Sequence, residues 1–75
     1  MNRHMVIIEG TRGEISWDSQ GVWTVVLGDY VDEERVNREA FDASRNQYSD
    51  LARETAKERL IIRARQILAE RVSVN

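Results

Sequence analysis

Small and apolar residues recur at every fourth position through the second half of this chain. The chain contains no proline, and its last glycine is Gly28, so nothing forces a helix to end beyond that point. A row of this kind is typical of a helix that packs one side against another part of the protein. The row consists of Val36, Ala40, Tyr48, Ala52, Ala56, Leu60, Ala64, Leu68 and Val72.

The row does not stay on one face of a straight helix. Four residues turn an α-helix by about 400°, so each step moves the row about 40° around the axis. On a helical wheel, the apolar residues of segment 41–52 therefore face nearly opposite to those of segment 60–72. We expect either two helices, over residues 32–45 and 49–72, or one continuous long helix with a second body on its other side. Polar residues at 44–50 compete with helix and favour the break, with Ser49 as the cap of the second helix.

The N-terminal third predicts a three-stranded antiparallel meander. Segments rich in β-branched and aromatic residues, at about 4–9, 14–18 and 22–28, are separated by turns that contain glycine. The first segment is apolar on both faces and forms an edge of such a sheet. An apolar edge needs cover from the protein's own helix, from a second copy or from a strand of a partner.

The register of the second hairpin follows from its side chains. Pairing Trp17 with Trp23 and Ile15 with Val25 gathers the apolar residues on one face, and a slip of one residue would scatter them. The same register places Gly21 at a turn position that needs a left-handed backbone. We therefore expect the two tryptophans to form a cross-strand pair in the core.

Composition limits the chain to one small domain, residues 1–75. It has 75 residues, no cysteine and a single histidine, so disulfides are excluded and a zinc site is nearly so. The absence of cysteine fits a reducing compartment, and no apolar run is long enough to span a membrane. We expect a cytoplasmic protein that does not bind membranes.

Charge is sorted along the chain. Residues 32–52 contain six acidic and three basic residues, whereas residues 53–75 contain six basic and three acidic ones. The ordinary explanation is the helix dipole, which favours acids at the start of a helix and bases at its end. The alternative is an antiparallel homodimer in which the acidic segment of one copy lies on the basic segment of the other.

Candidate chemistry is sparse. Asp29, Asp32, Glu33 and Glu34 are interpreted as the first turn of a helix and not as a metal site. His4 stands without a partner for acid–base work. The sequence predicts neither an enzyme nor a bound cofactor, metal or small-molecule substrate.

Together these features predict an α+β domain, with a small sheet covered by one or two helices, that acts by binding another protein. Its partner is a second copy, giving a homodimer, or a larger protein that it regulates or inhibits. The alternative is a nucleic-acid-binding regulator that uses the basic C-terminal helix, although the net charge of −2 does not favour it. Small phage, plasmid and antitoxin proteins offer an analogy of fold only. The residues expected at the interface are Val6, Ile8, Arg53, Lys57, Arg63, Ile67 and Arg71.

Overall fold

Two tight turns and one longer loop fold the first half of the chain into an antiparallel meander. The computed structural model describes residues 2–73, with side chains as far as Arg71. The α+β class is confirmed, but the prediction of three strands is wrong because a fourth strand continues the sheet. The strands lie in chain order and are β1 (Asn2–Ile8), β2 (Thr11–Trp17), β3 (Val22–Leu27) and β4 (Tyr30–Arg35).

The two outer turns have two residues each. Glu9 and Gly10 connect β1 to β2 with φ angles of 49° and 75°, as a type I′ turn requires. Gly28, with a φ angle of 65°, begins the turn between β3 and β4. Gly13 lies inside β2 and not in the first turn, and a Cβ atom there would come within 1.9 Å of the Val26 carbonyl oxygen. That contact explains why β2 carries a glycine in its middle.

The predicted register of the second hairpin is confirmed. Trp17 is paired with Trp23 and Ile15 with Val25. The two indole rings lie 5.2 Å apart between centroids, with Trp23 buried and Trp17 half-buried. Gly21 has a φ angle of 88°, as the turn requires. The separation of apolar from polar side chains was therefore sufficient to fix this register.

Residues 32–45 do not form the predicted helix, and no continuous helix spans residues 32–72. In β4 every second side chain turns toward one face of the sheet, which is the period of a strand. Of the acids that were interpreted as a helix start, Asp32, Glu33 and Glu34 lie in β4, and Asp29 lies in the turn before it. The rest of the segment consists of a one-turn 3₁₀ helix (Arg38–Ala40) and a short hairpin of β5 (Phe41–Asp42) and β6 (Gln47–Tyr48).

The second predicted helix is confirmed as α1 (Asp50–Ser73). The backbone N–H of Ala52 donates to the Ser49 hydroxyl at 3.2 Å, so Ser49 caps the helix as expected. With 24 residues the helix is about 36 Å long at roughly 1.5 Å per residue. It accounts for much of the 51 Å length of the molecule.

The C-terminal half of the row of small residues is the side of α1 that meets the sheet. A row of every fourth residue is inclined by roughly 26° to the helix axis. It therefore crosses the sheet obliquely, and α1 contacts β4, β3 and β1. The side chain of Val72 lies outside the described residues. The buried core consists of Ile8, Ile15, Trp23, Val25, Leu27, Tyr30, Val36, Ala56, Leu60, Ala64 and Leu68.

Candidate functional site

The basic side chains of α1 that were expected at an interface turn toward the sheet of their own chain. Arg63 makes the largest set of contacts. Its Nε lies 2.6 Å from Asp32 Oδ2, its Nη1 lies 2.8 Å from Glu34 Oε1, and its Nη2 donates to the Glu33 carbonyl at 3.0 Å. One guanidinium thus joins α1 to β4 at three points.

The hydrogen bond between Arg63 and Asp32 shifts the pKa of both residues. The hydrogen bond from Arg63 lowers the pKa of Asp32, partial burial opposes this, and bonds from the Tyr30 hydroxyl and the Glu33 N–H lower it further. The same bond to Asp32, followed by the bond to Glu34, raises the pKa of Arg63. Burial raises the pKa of Tyr30, and its hydrogen bond to Asp32 adds to the rise. Asp32 and Arg63 therefore stay ionised at neutral pH, whereas the Tyr30 hydroxyl stays protonated and donates to Asp32.

Arg71 repeats this arrangement at the end of α1. Its Nη1 lies 2.9 Å from Asp29 Oδ1, and its guanidinium carbon lies 5.8 Å from the centre of the Tyr30 ring. Acids before and within β4 thus face bases on α1 of the same chain. In these contacts, acidic and basic residues from different parts of the sequence pair with each other within one chain.

The other two basic residues expected at the interface, Arg53 and Lys57, lie over the rings of the tryptophan pair. The guanidinium carbon of Arg53 lies 5.5 Å from the centre of the Trp17 ring, and Lys57 Nζ lies 5.3 Å from that of Trp23. The Trp23 indole N–H donates to the Arg53 carbonyl at 2.9 Å. Cations held over aromatic rings in this way fix the first turns of α1 on the sheet.

The three apolar residues expected at the interface also lie on the covered side. Ile8 is 5% exposed and belongs to the core, and Val6 and Ile67 are half-buried against it. Whether any of these seven residues binds a partner stays a prediction. Their side chains already contact their own chain, so an exposed surface has to be sought on the other side of the sheet.

The face of the sheet that points away from α1 carries exposed apolar side chains, and we call it the open face. Met5, Val26 and Val31 lie in one line across the four strands, with Glu14 between the first two. Met5 is 69% exposed and Val31 is 64% exposed. Ile7, next to Met5 on the same face of β1, is 65% exposed.

The backbone of β1 adds a second feature at the same place. β1 is an outer strand, and among the described residues only β2 pairs with it. In a two-residue hairpin the pair beside the turn, here Ile8 and Thr11, exchanges both backbone hydrogen bonds, and such pairs alternate along the strands. The N–H and C=O groups of Arg3, Met5 and Ile7 consequently point away from β2. We call this row, together with the side chains of Met5 and Ile7, the β1 edge.

Sequence reasoning identified the edge strand and named Val6 and Ile8 as its interface residues. The exposed large apolar residues of β1 are instead Met5 and Ile7. The turn at Glu9 could have indicated the exposed residues. A two-residue turn fixes the register of the hairpin and therefore which of the alternating residues of β1 face the core. No group of His, Cys, Asp or Glu side chains is arranged to hold a metal ion within residues 2–73.

A second concave site lies where the β5–β6 hairpin meets the sheet. The Tyr48 ring stands edge-on to Trp17 at 6.1 Å and to Phe41 at 5.1 Å between centroids. These rings and Arg53 line a cleft of about 220 Å³. The Arg53 Nε is buried there without a hydrogen-bond partner. The cleft is large enough for a single side chain, and its aromatic walls chiefly hold the hairpin against the sheet.

Comparison with known proteins identifies no relative: no family model, curated protein or solved structure matches this chain. Among the described residues, no helix has both the length and the apolar character needed to cross a lipid bilayer.

Proposed function

We propose that this chain is a small protein-binding module that accepts an extended segment of another polypeptide at the β1 edge. The observation that carries the proposal is that β1 is an outer strand, paired on one side only within residues 2–73, and carries two exposed apolar side chains, Met5 and Ile7. An added strand gains affinity from main-chain hydrogen bonds and specificity from alternate side chains, and this edge offers both.

The composition of β1 favours this use. Proteins usually protect outer strands with prolines, bulges, charged residues or very short length. β1 has seven residues, is paired with β2 in an unbroken register and contains neither proline nor glycine. Its last four residues are all apolar. An unprotected edge of this length is a site of association unless a partner covers it.

The contacts of α1 weaken the alternative of nucleic-acid binding. Arg63 and Arg71 are paired with acids of the same chain, and Arg53 and Lys57 lie over tryptophan rings. A phosphate backbone would have to compete with these contacts for the same cations. A binding role in the cytoplasm, without catalysis, is therefore the function that we propose.

A selection from a displayed library of random peptides tests the proposal. We expect enriched peptides that alternate apolar and polar residues and that bind the wild-type protein. Their binding should be lost in Met5→Lys, because a charged side chain on an outer strand opposes pairing. Val31→Lys is the matched control, since it lies in the same line of the same face, on the opposite outer strand, with similar exposure.

The outcome is read from the difference between the two variants. Peptides that are lost in Met5→Lys and retained in Val31→Lys agree with strand addition at β1. The proposal fails if the selected peptides bind both variants equally well, or if the protein neither selects peptides nor associates with itself.

A further inference from the structure

We infer that the strand that β1 accepts is β1 of a second copy, giving a two-fold dimer with a continuous eight-stranded sheet. The inference rests on the proposed function and names its partner. A strand paired antiparallel with its own copy is always related to it by a two-fold axis, so the interface closes on itself. The axis passes beside Met5, the middle residue of β1.

The backbone of β1 fits this arrangement. The outward-pointing residues are Arg3, Met5 and Ile7, and they are symmetric about Met5. Antiparallel pairing about that residue places Met5 opposite Met5 of the second copy, and Arg3 opposite its Ile7. Ile7 likewise lies opposite Arg3 of the second copy, and each of the three pairs can exchange two hydrogen bonds, which gives about six in total. The pairing uses the full length of β1.

The side chains fit as well. A two-fold axis perpendicular to the sheet keeps both open faces on one side and both helices on the other. Met5 and Ile7 of the two copies then form one apolar cluster across the axis, beside the aliphatic stem of Arg3. The two Arg3 residues lie at opposite ends of the interface, about 14 Å apart along the strands at roughly 3.4 Å per residue.

The charge at the middle of β4 opposes pairing of this strand with its own copy. The residues beside its turn, Leu27 and Tyr30, form a hydrogen-bonded pair, so Val31, Glu33 and Arg35 direct their backbone groups outward. Two copies of β4 paired about its middle would set Glu33 directly against Glu33. Like charges in that position are destabilising.

Pairing of β1 with β4 of another copy is also less favourable. The full-length antiparallel register sets Arg3 against Arg35, which are like charges. A shift by two residues sets Arg3 against Glu33 and Met5 against Val31. It leaves Ile7 beside the turn, beyond the first residue of β4, and forfeits one hydrogen-bonded pair. Such contacts would also repeat without closing, giving a filament. The closed dimer through β1 retains all three pairs without a charge conflict.

The predicted dimer is weak. One seven-residue strand and four apolar side chains bury less than the roughly 800 Å² per partner of a standard interface. We therefore expect association at micromolar concentrations and dissociation on dilution. Sedimentation velocity, from low micromolar to near-millimolar protein, should show a monomer that converts to a dimer and no larger species.

Two charged substitutions at position 5 test whether the two-fold axis passes beside Met5. In Met5→Lys or Met5→Glu alone, like charges face each other across the axis, and we expect dissociation constants at least about tenfold higher. An equimolar mixture of the two sets Lys against Glu and should recover a dimer. Val31→Lys should dimerise as the wild-type protein does. Circular dichroism confirms that each variant is folded, since these side chains are exposed.

The outcomes separate this inference from the proposed function. Recovery of the dimer only in the mixture agrees with pairing about Met5. A wild-type protein that stays monomeric overturns the inference, although peptides selected at β1 would still uphold strand addition. A monomer that selects no peptide overturns both. A dimer that Met5→Lys leaves intact, a mixture that fails to associate, or a mass that grows without limit also overturns the two-fold pairing at β1.

Discussion

The two outer strands of the sheet, β1 and β4, carry opposite kinds of side chain at their open edges. β4 carries Asp32, Glu33 and Glu34 in sequence, and its covered side is joined to α1 through Arg63. β1 carries Met5 and Ile7 at exposed positions on the open face. Both strands have a free outer side among the described residues, so the difference lies in side chains alone.

This difference teaches that neighbouring acids on one strand can protect its edge and attach the helix. Glu33 opposes pairing with another copy of β4, whereas the carboxylates of Asp32 and Glu34 bind Arg63 of α1. β1 is held by buried apolar residues such as Ile8 and contributes no acid to the contacts of α1 described above. It is consequently the strand that stays available for a partner.

The largest expected effect separates the two faces of β1. Ile8→Ala should lower the free energy of unfolding by about 2–4 kcal/mol, because it removes a buried side chain and leaves a cavity. Ile7→Ala, one residue away but exposed, should change it by less than about 0.5 kcal/mol. Urea denaturation at submicromolar concentration, below the range in which we expect dimers, measures both. Equal losses would mean that β1 is not oriented as described.

A smaller effect is expected at the attachment of β4. Arg63→Met should cost about 1–2 kcal/mol, because Asp32 and Glu34 lose their partner while staying partly buried. The cost should shrink as salt is added. Arg65→Met, at an exposed position on the same helix, is the control. A similar cost for both variants would show that the contacts to β4 contribute nothing specific.

The smallest effect is a dependence on pH. The folded protein holds the pKa of Asp32 below its unfolded value of 3.8. Asp32 therefore stabilises the fold above about pH 4, and this contribution is lost as the pH falls through the lower, folded pKa. Between these two values wild-type stability should fall more steeply with acid than that of Asp32→Asn. Thermal unfolding at several pH values below 5 measures both slopes, and identical slopes would contradict the assigned role of Arg63.

The sequence predicted the parts of the fold whose patterns are local. Alternation over Ile15 to Trp23 fixed the register of the second hairpin, and the row from Ala52 to Leu68 identified α1. The prediction of a helix over residues 32–45 was wrong because two residues on the covered side of β4, Asp32 and Glu34, are acids. Acids at inward positions conceal the period of a strand.

Only the tertiary fold explains those acids, since Arg63 lies 31 residues from Asp32 in the chain. The turn that begins at Gly28 was a local signal of a hairpin. The fourfold spacing of small residues further along the chain favoured a helix instead. For the candidate site, the sequence identified the outer strand. The exposed side of that strand followed only from the geometry of the turn at Glu9 and Gly10.

A single cysteine measures the pairing of β1 most directly, because the natural chain has none. In the dimer the two Met5 residues are directly opposite, with Cα atoms about 5.5 Å apart, which is within the range that a disulfide spans. Under mild oxidation Met5→Cys should form a covalent dimer much faster than Val31→Cys, although both positions are similarly exposed. Equal rates for the two variants, or faster coupling through position 31, would contradict association at the β1 edge.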